Sequence, residues 1–321
     1  MSLPSILVTT YHQAFLHKGG GEYELLEVAF NLRQFGFIAD VYSPFSRDID
    51  AYDVILHFSL VPESLPLIAK LKFMGKKIIL WPNFWQSEEL TTEQIKVFSQ
   101  FFGLSEAIVF KSHAEEIILR SLIPDSCAIL RVPASVDPCF ATPTPNRLFR
   151  DSYDVEEYLL WVGIIEPAKN QLETIKALHH LTLPIIFVGN YRDTAYYNAC
   201  VKSAPSHFRF LPPMIHKSDM LRAALRECRL YIESGYEPGG KSLLEAVISG
   251  AQVVIPRSPW AEEYFGDFPV YIATQSEPAI AEAVAIALTR DKNPCIADKV
   301  AASHMSPGVL TPLCDYIKAD T

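Results

Sequence analysis

Leu230-Tyr231-Ile232, followed closely by Glu237-Pro238-Gly239-Gly240-Lys241-Ser242-Leu243-Leu244-Glu245-Ala246-Val247, is the most informative stretch of the chain. It predicts a short apolar strand, a flexible turn and a helix whose apolar residues recur at helical spacing. A turn that opens a helix offers free backbone N–H groups and a positive dipole end to an anion such as phosphate. Glu237 and Glu245 flank the turn, and carboxylates suit sugar hydroxyls. We therefore expect a site for a phosphorylated sugar compound.

The plainer alternative is that both glutamates are solvated and that Lys241 pairs with Glu245 one helical turn later. The strand before the turn favours the site, because it places the turn at the carboxyl end of a strand. Helical spacing also directs Glu245 away from the apolar stripe of Leu243, Leu244, Val247 and Ile248.

The same alternation of strand and helix extends along the chain. The predicted strands are 6–11, 39–45, 53–59, 76–82, 106–111 and 128–133, then 157–162, 183–188, 208–211, 229–234, 252–256 and 270–273. Predicted helices are 22–35, 65–74, 92–101 and 113–122, then 170–181, 194–203, 217–227, 241–249 and 278–289. Runs such as Ile78-Ile79-Leu80-Trp81 are apolar without alternation, which is typical of parallel strands covered on both faces.

A proline-rich segment, 141–147, separates the two series and predicts a linker. The fold class is therefore α/β, with two Rossmann-like doubly wound domains facing an interdomain cleft. We expect an N-terminal Rossmann-like domain at 1–145 and a C-terminal Rossmann-like domain at 146–300. The remaining tail, 301–321, would pack back on the first domain.

Composition narrows the class of protein. The chain has 321 residues, a net charge of -9 and a pI of about 5.5, which argues against nucleic-acid binding. Its cysteines lack the short spacings of a zinc site or a disulfide framework, so we expect a reducing, cytoplasmic compartment. No apolar run reaches membrane-spanning length, and the N-terminus predicts a strand rather than a signal peptide.

Two further stretches carry candidate phosphate groups. Gly163 ends a predicted strand, and Lys169 precedes a helix, where its charge could neutralise a diphosphate; the alternative is a surface lysine beside the helix cap Asn170. In the first half, Lys18-Gly19-Gly20-Gly21 opens a helix, and Gly19, Gly20 and Gly21 would let a ligand approach the backbone. The spacing is wrong for a dinucleotide fingerprint, so a flexible loop is the competing interpretation.

Histidines and metal ligands give weaker signals. His12 follows the first predicted strand and His57 ends the third, so either could face the cleft, although a structural role is the commoner one at a strand end. His179 and His180 lie in a helix with no matching carboxylate, and we expect no metal and no cofactor.

Taken in order, these segments resemble the retaining glycosyltransferases of family 4, which have the GT-B fold. The resemblance covers 156–257 most closely, from Tyr158-Leu159-Leu160-Trp161-Val162-Gly163 to Gly250-Ala251-Gln252-Val253-Val254-Ile255-Pro256. Glu237 and Glu245 match the family's signature of two glutamates separated by seven residues. The first half matches more loosely, through the glycines 19–21 and the segment 132–137.

The resemblance implies a role for each matching position. Glu237 would contact the donor sugar, Glu245 the ribose diol, and Lys169 the leaving diphosphate. Backbone amides at Gly239 and Gly240 would lie against the sugar diphosphate, with Gly163 and Lys241 beside them. Gly20 and Gly21 would border the donor phosphate or the acceptor. A cation and a helix terminus would take the place of a metal ion.

Two positions depart from the family pattern. The family often carries an arginine near the position of Ile164. The isoleucine removes about one charge-assisted contact with the diphosphate, worth roughly 1.5–3 kcal/mol when buried. Either Arg192, Lys241 or Lys18 would supply the missing charge, or activity would be weak. Gly239 replaces the usual aromatic residue before the second glycine.

The resemblance predicts a metal-independent, hexosyltransferase-type enzyme that moves a sugar from a nucleotide-diphosphate sugar to an acceptor hydroxyl with retention. The acceptor would be a glycan, a lipid-linked compound or a protein, with peripheral membrane contact in the lipid-linked case. Two alternatives stay open: a nucleotide-sugar epimerase or hydrolase on the same fold, and a catalytically silent module that binds a sugar nucleotide.

Overall fold

The computed structural model describes residues 3–16, 20–85, 89–235, 240–293 and 295–319. The chain divides into two compact units, one of Met1–Ser135 with Ser306–Thr321 and one of Val136–Met305. Each unit contains one six-stranded sheet in which every pair of neighbouring strands is parallel.

The sheet of the first unit has the order β2-β1-β3-β4-β5-β6. Its strands are β1 (Ser5–Thr9), β2 (Ile38–Val41), β3 (Val54–Phe58), β4 (Lys77–Trp81), β5 (Ala107–Phe110) and β6 (Ala128–Arg131). The helices between them are α1 (Gly20–Gln34), α2 (Leu65–Phe73), α3 (Thr92–Gly103) and α4 (His113–Leu119).

Both faces of this sheet are covered, as the continuous apolar strands predict. Within β1, Ile6 and Val8 pack into one apolar cluster together with α1, whereas Leu7 packs into a second cluster with α2 and α3. Successive side chains of a strand point to opposite faces, so a fully apolar strand needs a helical layer on each side.

The second unit repeats this plan. Its strands are β7 (Leu159–Val162), β8 (Ile185–Val188), β9 (Arg209–Leu211), β10 (Leu230–Ile232), β11 (Val253–Pro256) and β12 (Val270–Ile272). Its helices are α5 (Leu148–Tyr153), α6 (Gln171–Ala177), α7 (Thr194–Ser203), α8 (Asp219–Glu227), α9 (Lys241–Ile248), α10 (Pro259–Phe265), α11 (Glu277–Leu288) and α12 (Cys295–His304).

The strand order of the second sheet is β12-β11-β10-β7-β8-β9. The chain winds outward from β7 through β8 and β9, then returns to the other side of β7 with β10. The two neighbours β7 and β10 therefore define a switch point, and ligands of open α/β sheets bind outside the carboxyl ends of the strands at such points. The predicted α/β class, with two doubly wound Rossmann-like domains, is confirmed.

The structural division falls earlier than the proline-rich segment chosen as the linker. The backbone N–H of Val136 donates to the carbonyl of His304 over 2.8 Å, which fixes the start of the second unit. Thr142 and Pro143 accept hydrogen bonds from the guanidinium group of Arg222 on α8. These bonds attach the segment to the second unit, although its prolines are typical of a linker.

The C-terminal segment belongs to the first unit. Helix α13 (Thr311–Ala319) buries Leu313, Cys314 and Ile317 in the cluster that also contains Ile6 and Val8. The chain thus returns to its first domain at its end.

Removing the apolar contact of α13 should weaken the first unit. We expect Ile317→Ala to lower the free energy of unfolding by about 2–5 kcal/mol, because a fully buried side chain is truncated and a cavity remains. Urea denaturation followed by circular dichroism measures this change. Asp315→Ala, at an exposed position of the same helix, is the control and should change the free energy by about 0.5 kcal/mol at most. Equal effects of the two variants would contradict the structural assignment of α13.

Candidate functional site

The switch point of the second sheet brings two loops together. The loop between β7 and α6 contains a turn at Pro167–Lys169, and the loop between β10 and α9 begins with Glu233. Both loops leave the carboxyl ends of adjacent strands, so groups that lie far apart in sequence meet at one sheet edge.

A buried polar junction joins the two loops. The hydroxyl groups of Thr174 and Ser234 lie 2.6 Å apart, and the side-chain amide of Asn170 donates to the carbonyl of Ser234 over 3.4 Å. The carbonyl of Asn170 in turn accepts from both hydroxyl groups. Asn170 stands before α6 but makes no side-chain cap, and its positive φ of 62° allows the bend into the helix. The asparagine predicted as a helix cap thus serves mainly to connect the loops.

Lys169 lies directly beside this junction. A methyl group added at Gly235 would come 3.2 Å from the Cα and 3.5 Å from the Cδ of Lys169, so the glycine lets the two loops pack closely. This packing places the lysine beside the carboxyl end of β10.

Glu233 is a buried carboxylate at the same edge, and sequence reasoning gave it no role. Its Oε1 accepts a hydrogen bond of 2.7 Å from the hydroxyl of Tyr231 and a longer one, 3.4 Å, from Ser242 on α9. Burial raises the pKa of Glu233, while the charge of Lys169 and hydrogen bonds from Tyr231, Ser242 and the backbone of Gly240 lower it. The one sequence signal for a role of Glu233 is that it is acidic and directly follows an apolar strand.

Glu245 is buried rather than exposed, in contrast to its expected position off the apolar stripe. Only 3% of the residue is accessible, and its Oε1 lies 2.7 Å from Nε2 of His216. Each residue of helix α9 from Leu243 to Ile248 is buried. This part of the helix has no solvent-exposed face, so the helical spacing of its apolar residues did not indicate the position of Glu245. His216 is the second residue that the sequence did not single out.

Gly163 has a structural role at the end of β7. A methyl group added at Gly189, after β8, would lie 1.9 Å from the carbonyl oxygen of Gly163. Gly163 itself has a φ of 156°. Two residues further along, the N–H of Ile165 donates a hydrogen bond of 2.8 Å to the carbonyl of Asn190 in the loop after β8. The two glycines thus let the loops after β7 and β8 run side by side.

The remaining predicted donor groups fall into two sets. Gly240 precedes α9, and Lys241 is its first residue, so both lie at the helix start. Glu237, Gly239, Lys18 and Gly19 lie outside the described residues.

The departure at Ile164 leaves its loop with one charge fewer than the family pattern. Ile164 is partly buried, and its carbonyl accepts from the side chain of Gln171. Arg192, one of the substitutes considered, lies 3.8 Å from Glu166 in an ion pair. Its charge is therefore partly neutralised by a carboxylate of the same loop region.

The first unit contains its own group of polar residues beside the predicted glycines. Gly20 and Gly21 open α1, and a methyl group at Gly21 would come 3.1 Å from the side-chain nitrogen of Asn83. The ammonium group of Lys111 hydrogen-bonds to Asn83 and lies 3.3 Å from a carboxylate oxygen of Glu24. Sequence reasoning missed these three polar side chains: Asn83 follows β4, Lys111 follows β5 and Glu24 lies on α1 itself.

The two histidine candidates lie in different environments. His12 is exposed in the loop after β1. His57 is fully buried between the hydroxyls of Thr9 and Ser64, which lie 2.9 and 3.0 Å from its ring nitrogens. Burial lowers the pKa of His57 to about 3, so the ring is neutral near neutral pH.

Membrane-spanning helices and clustered metal ligands are both absent from the described parts of the chain. No helix there is long and apolar enough to cross a membrane. The same residues contain no group of three or more histidine, cysteine, aspartate or glutamate side chains arranged to hold a metal ion.

Comparison with solved structures identifies the fold. Sucrose-phosphate synthase from Thermosynechococcus elongatus matches with a TM-score of 0.78 and 13% identity over 99% of this chain and 100% of that chain. HepE from Anabaena, solved with UDP and glucose, matches with a TM-score of 0.74 and 15% identity over 99% and 98% of the two chains. A UDP-forming trehalose-phosphate synthase from Burkholderia vietnamiensis matches with a TM-score of 0.66 and 11% identity over 98% of each chain.

No protein-family model matches the chain, and no curated protein sequence is similar to it. Similarity at 11–15% identity establishes the fold alone. The GT-B fold expected from the sequence is therefore confirmed, and with it the resemblance to GT-B glycosyltransferases at the level of structure. Membership of family 4 stays a prediction, as do the roles of the individual site residues.

The close approach of Gly163 and Gly189 gives a direct test of the loop geometry. We expect Gly189→Ala to lower the free energy of unfolding by about 2–3 kcal/mol, because its Cβ would overlap the carbonyl of Gly163 and force the backbone to move. Thermal and urea denaturation both measure the loss. Gly240→Ala is the matched control: among the described residues, its Cβ would meet only the hydroxyl of Ser242 at 3.8 Å, so a change of about 0.5 kcal/mol or less is expected. An unperturbed Gly189→Ala protein would refute the predicted packing.

Proposed function

We propose that this protein is a glycosyltransferase that moves a sugar from a nucleoside-diphosphate sugar to an acceptor hydroxyl. The observation that carries the proposal lies at the switch point of a GT-B fold: Lys169 packs against Gly235 after β10, and α9, the helix that follows, carries the buried Glu245. A cation, free helical N–H groups and a carboxylate are the groups that a diphosphate and a ribose diol need.

The solved structures of similar fold support a uridine nucleotide as the first donor to test. HepE was solved with UDP and glucose, and the trehalose-phosphate synthase is named as UDP-forming. We propose UDP-glucose as the probe, with the sugar and the acceptor of this chain left to experiment.

The chemistry would depend on positioned charge. Lys169 would stabilise the negative charge that develops on the departing diphosphate as the glycosidic bond breaks. The N–H groups at the start of α9 would add donors in the same direction without further reorganisation. The leaving phosphate would take the proton of the acceptor hydroxyl on the same face of the sugar, which gives retention without a metal ion.

Glu245 would hold the ribose through its carboxylate. Its Oε1 is already paired with His216, which fixes the side chain and leaves the carboxylate able to accept from hydroxyl groups. His216 would thus act by positioning Glu245, and the pair would be a preformed receptor for a vicinal diol.

A second function, donor binding without transfer, is favoured by one observation. Ile164 supplies no charge where the family often has arginine, so the developing charge on the leaving group would meet less stabilisation. Such a protein would bind sugar nucleotides and release no nucleoside diphosphate.

Nucleotide binding is tested by thermal shift with UDP, GDP, ADP and CMP and with their sugars. A ligand at one hundred times its dissociation constant stabilises the folded state by about 2.7 kcal/mol. We expect Glu245→Gln to weaken UDP binding about tenfold or more, because an amide replaces the charged acceptor of the diol. Glu282→Gln, at an exposed position of α11, is the control and should bind like the parent protein. If no nucleotide shifts the melting temperature, the donor site does not exist.

Transfer is tested through Lys169. We expect Lys169→Ala to lower kcat for release of UDP from UDP-glucose by about 10²–10³ in the presence of acceptor, since the charge is needed most in the transition state. Lys176→Ala, which removes an exposed lysine of α6, should leave kcat unchanged. Release of UDP that does not depend on an acceptor would identify a hydrolase, and nucleotide binding without any release would identify the silent module.

A further inference from the structure

The start of α9 already holds a carboxyl group of the protein itself. Glu233 is only 9% accessible and receives hydrogen bonds from Tyr231 on its own strand and from Ser242 in the first turn of α9. The backbone N–H of Gly240 also bonds to this carboxylate. The groups that a diphosphate would use at the helix start are thus engaged in part by a side chain.

Lys169 interacts with the same carboxylate. Among the influences on Glu233, its charge is the largest that favours the ionised form. Because Gly235 packs against the backbone and side chain of Lys169, the lysine is held at the strand end that carries Glu233. The cation proposed for the leaving diphosphate is therefore also the counter-ion of a buried glutamate.

We propose that Glu233 is a positioning residue that competes, as a carboxylate, with the donor diphosphate for Lys169 and the N–H of Gly240, and that donor binding proceeds with uptake of a proton by Glu233. The proposal rests on the proposed donor site and adds a regulating group to it. Its one requirement is that the diphosphate and Glu233 share the same two partners.

Electrostatic repulsion between the carboxylate of Glu233 and the donor diphosphate favours uptake of a proton by Glu233. Like charges that share a site in a poorly solvated environment disfavour each other's ionised form, often by more than one pKa unit. Burial already raises the pKa of Glu233, so the neutral acid costs less here than at the surface. A protonated Glu233 could donate a hydrogen bond, whereas the carboxylate can only accept.

The groups that face Glu233 from each neighbouring element are consistent with its protonation when the donor binds. From β10, the hydroxyl of Tyr231 keeps its proton because burial raises its pKa well above the usual value. From α9, Ser242 donates a hydroxyl, and Glu245 adds a further negative charge near Tyr231. From the turn before α6, Lys169 supplies a positive charge. This charge interacts with Glu233 in the free protein and would interact with the diphosphate in the complex.

The affinity for the donor should decrease as pH rises. Donor binding raises the pKa of Glu233, so the complex binds more protons than the free protein. Affinity therefore rises as pH falls through the pKa of Glu233 in the complex and becomes constant below its pKa in the free protein. UDP-glucose is the suitable ligand, because its diphosphate has no group that titrates near neutrality.

Isothermal titration calorimetry with UDP-glucose tests the proposal on the full chain. In buffers of different ionisation enthalpy, the wild-type protein should take up a measurable fraction of a proton on binding. Its affinity should fall as pH rises through the range in which Glu233 loses its proton. Glu233→Gln keeps the size of the side chain and removes its charge. At a pH where Glu233 of the free wild-type protein is ionised, we expect this variant to bind UDP-glucose about tenfold tighter than the wild type and to show neither proton uptake nor the pH dependence.

Glu282→Gln serves as the control and should retain both the proton uptake and the pH dependence of the wild type. Wild-type binding without proton uptake would overturn the role of Glu233 while leaving the donor site in place. Absence of binding for UDP-glucose and for every other sugar nucleotide would overturn the proposed function and this inference together. The wild-type proton count needs no variant, so it decides the question even if Glu233→Gln fails to fold.

Discussion

The geometry of the candidate site depends on the buried junction of Asn170, Thr174 and Ser234. Asn170 and Thr174, before and within α6, are hydrogen-bonded to Ser234 in the loop after β10. Leaving one such group unpaired costs about 1–3 kcal/mol, so the two loops are held as a unit. Lys169 and Glu233 each stand next to a member of the junction in sequence, and their proximity follows from it.

The fold could be predicted largely because parallel sheets have a simple sequence pattern. Runs such as Ile185–Val188 are apolar at every position, and their regular alternation with helical segments requires two doubly wound sheets. Short helices such as α5 and α10 were missed, since six or seven residues barely complete two turns and give no clear period. The attachment of Thr142 and Pro143 to the second unit involves hydrogen bonds from Arg222, which no local sequence pattern could reveal.

The site was less predictable than the fold, because its residues act in pairs across long separations. Glu245 was found through its place in a family signature, yet its partner His216 lies 29 residues earlier, in a loop with no pattern of its own. The helical phase of Glu245 also misled, because a helix covered on all sides can bury a carboxylate that has a partner. Gly163 and Gly189 illustrate the same limit: each is an ordinary glycine until the two loops are placed side by side.

Charge at the strand ends distinguishes this chain from the pattern it resembles. An arginine at position 164 would add one positive charge to the loop of Lys169, and the chain instead has Ile164 and, across the switch point, the acid Glu233. Lys169 and Glu233 interact with each other, so the lysine already has an acidic neighbour when no donor is bound. Such an interaction reduces the attraction for an external anion, and loss of one partner leaves the other buried without its counterpart. The same contacts thus stabilise the empty site and set the electrostatic cost of filling it.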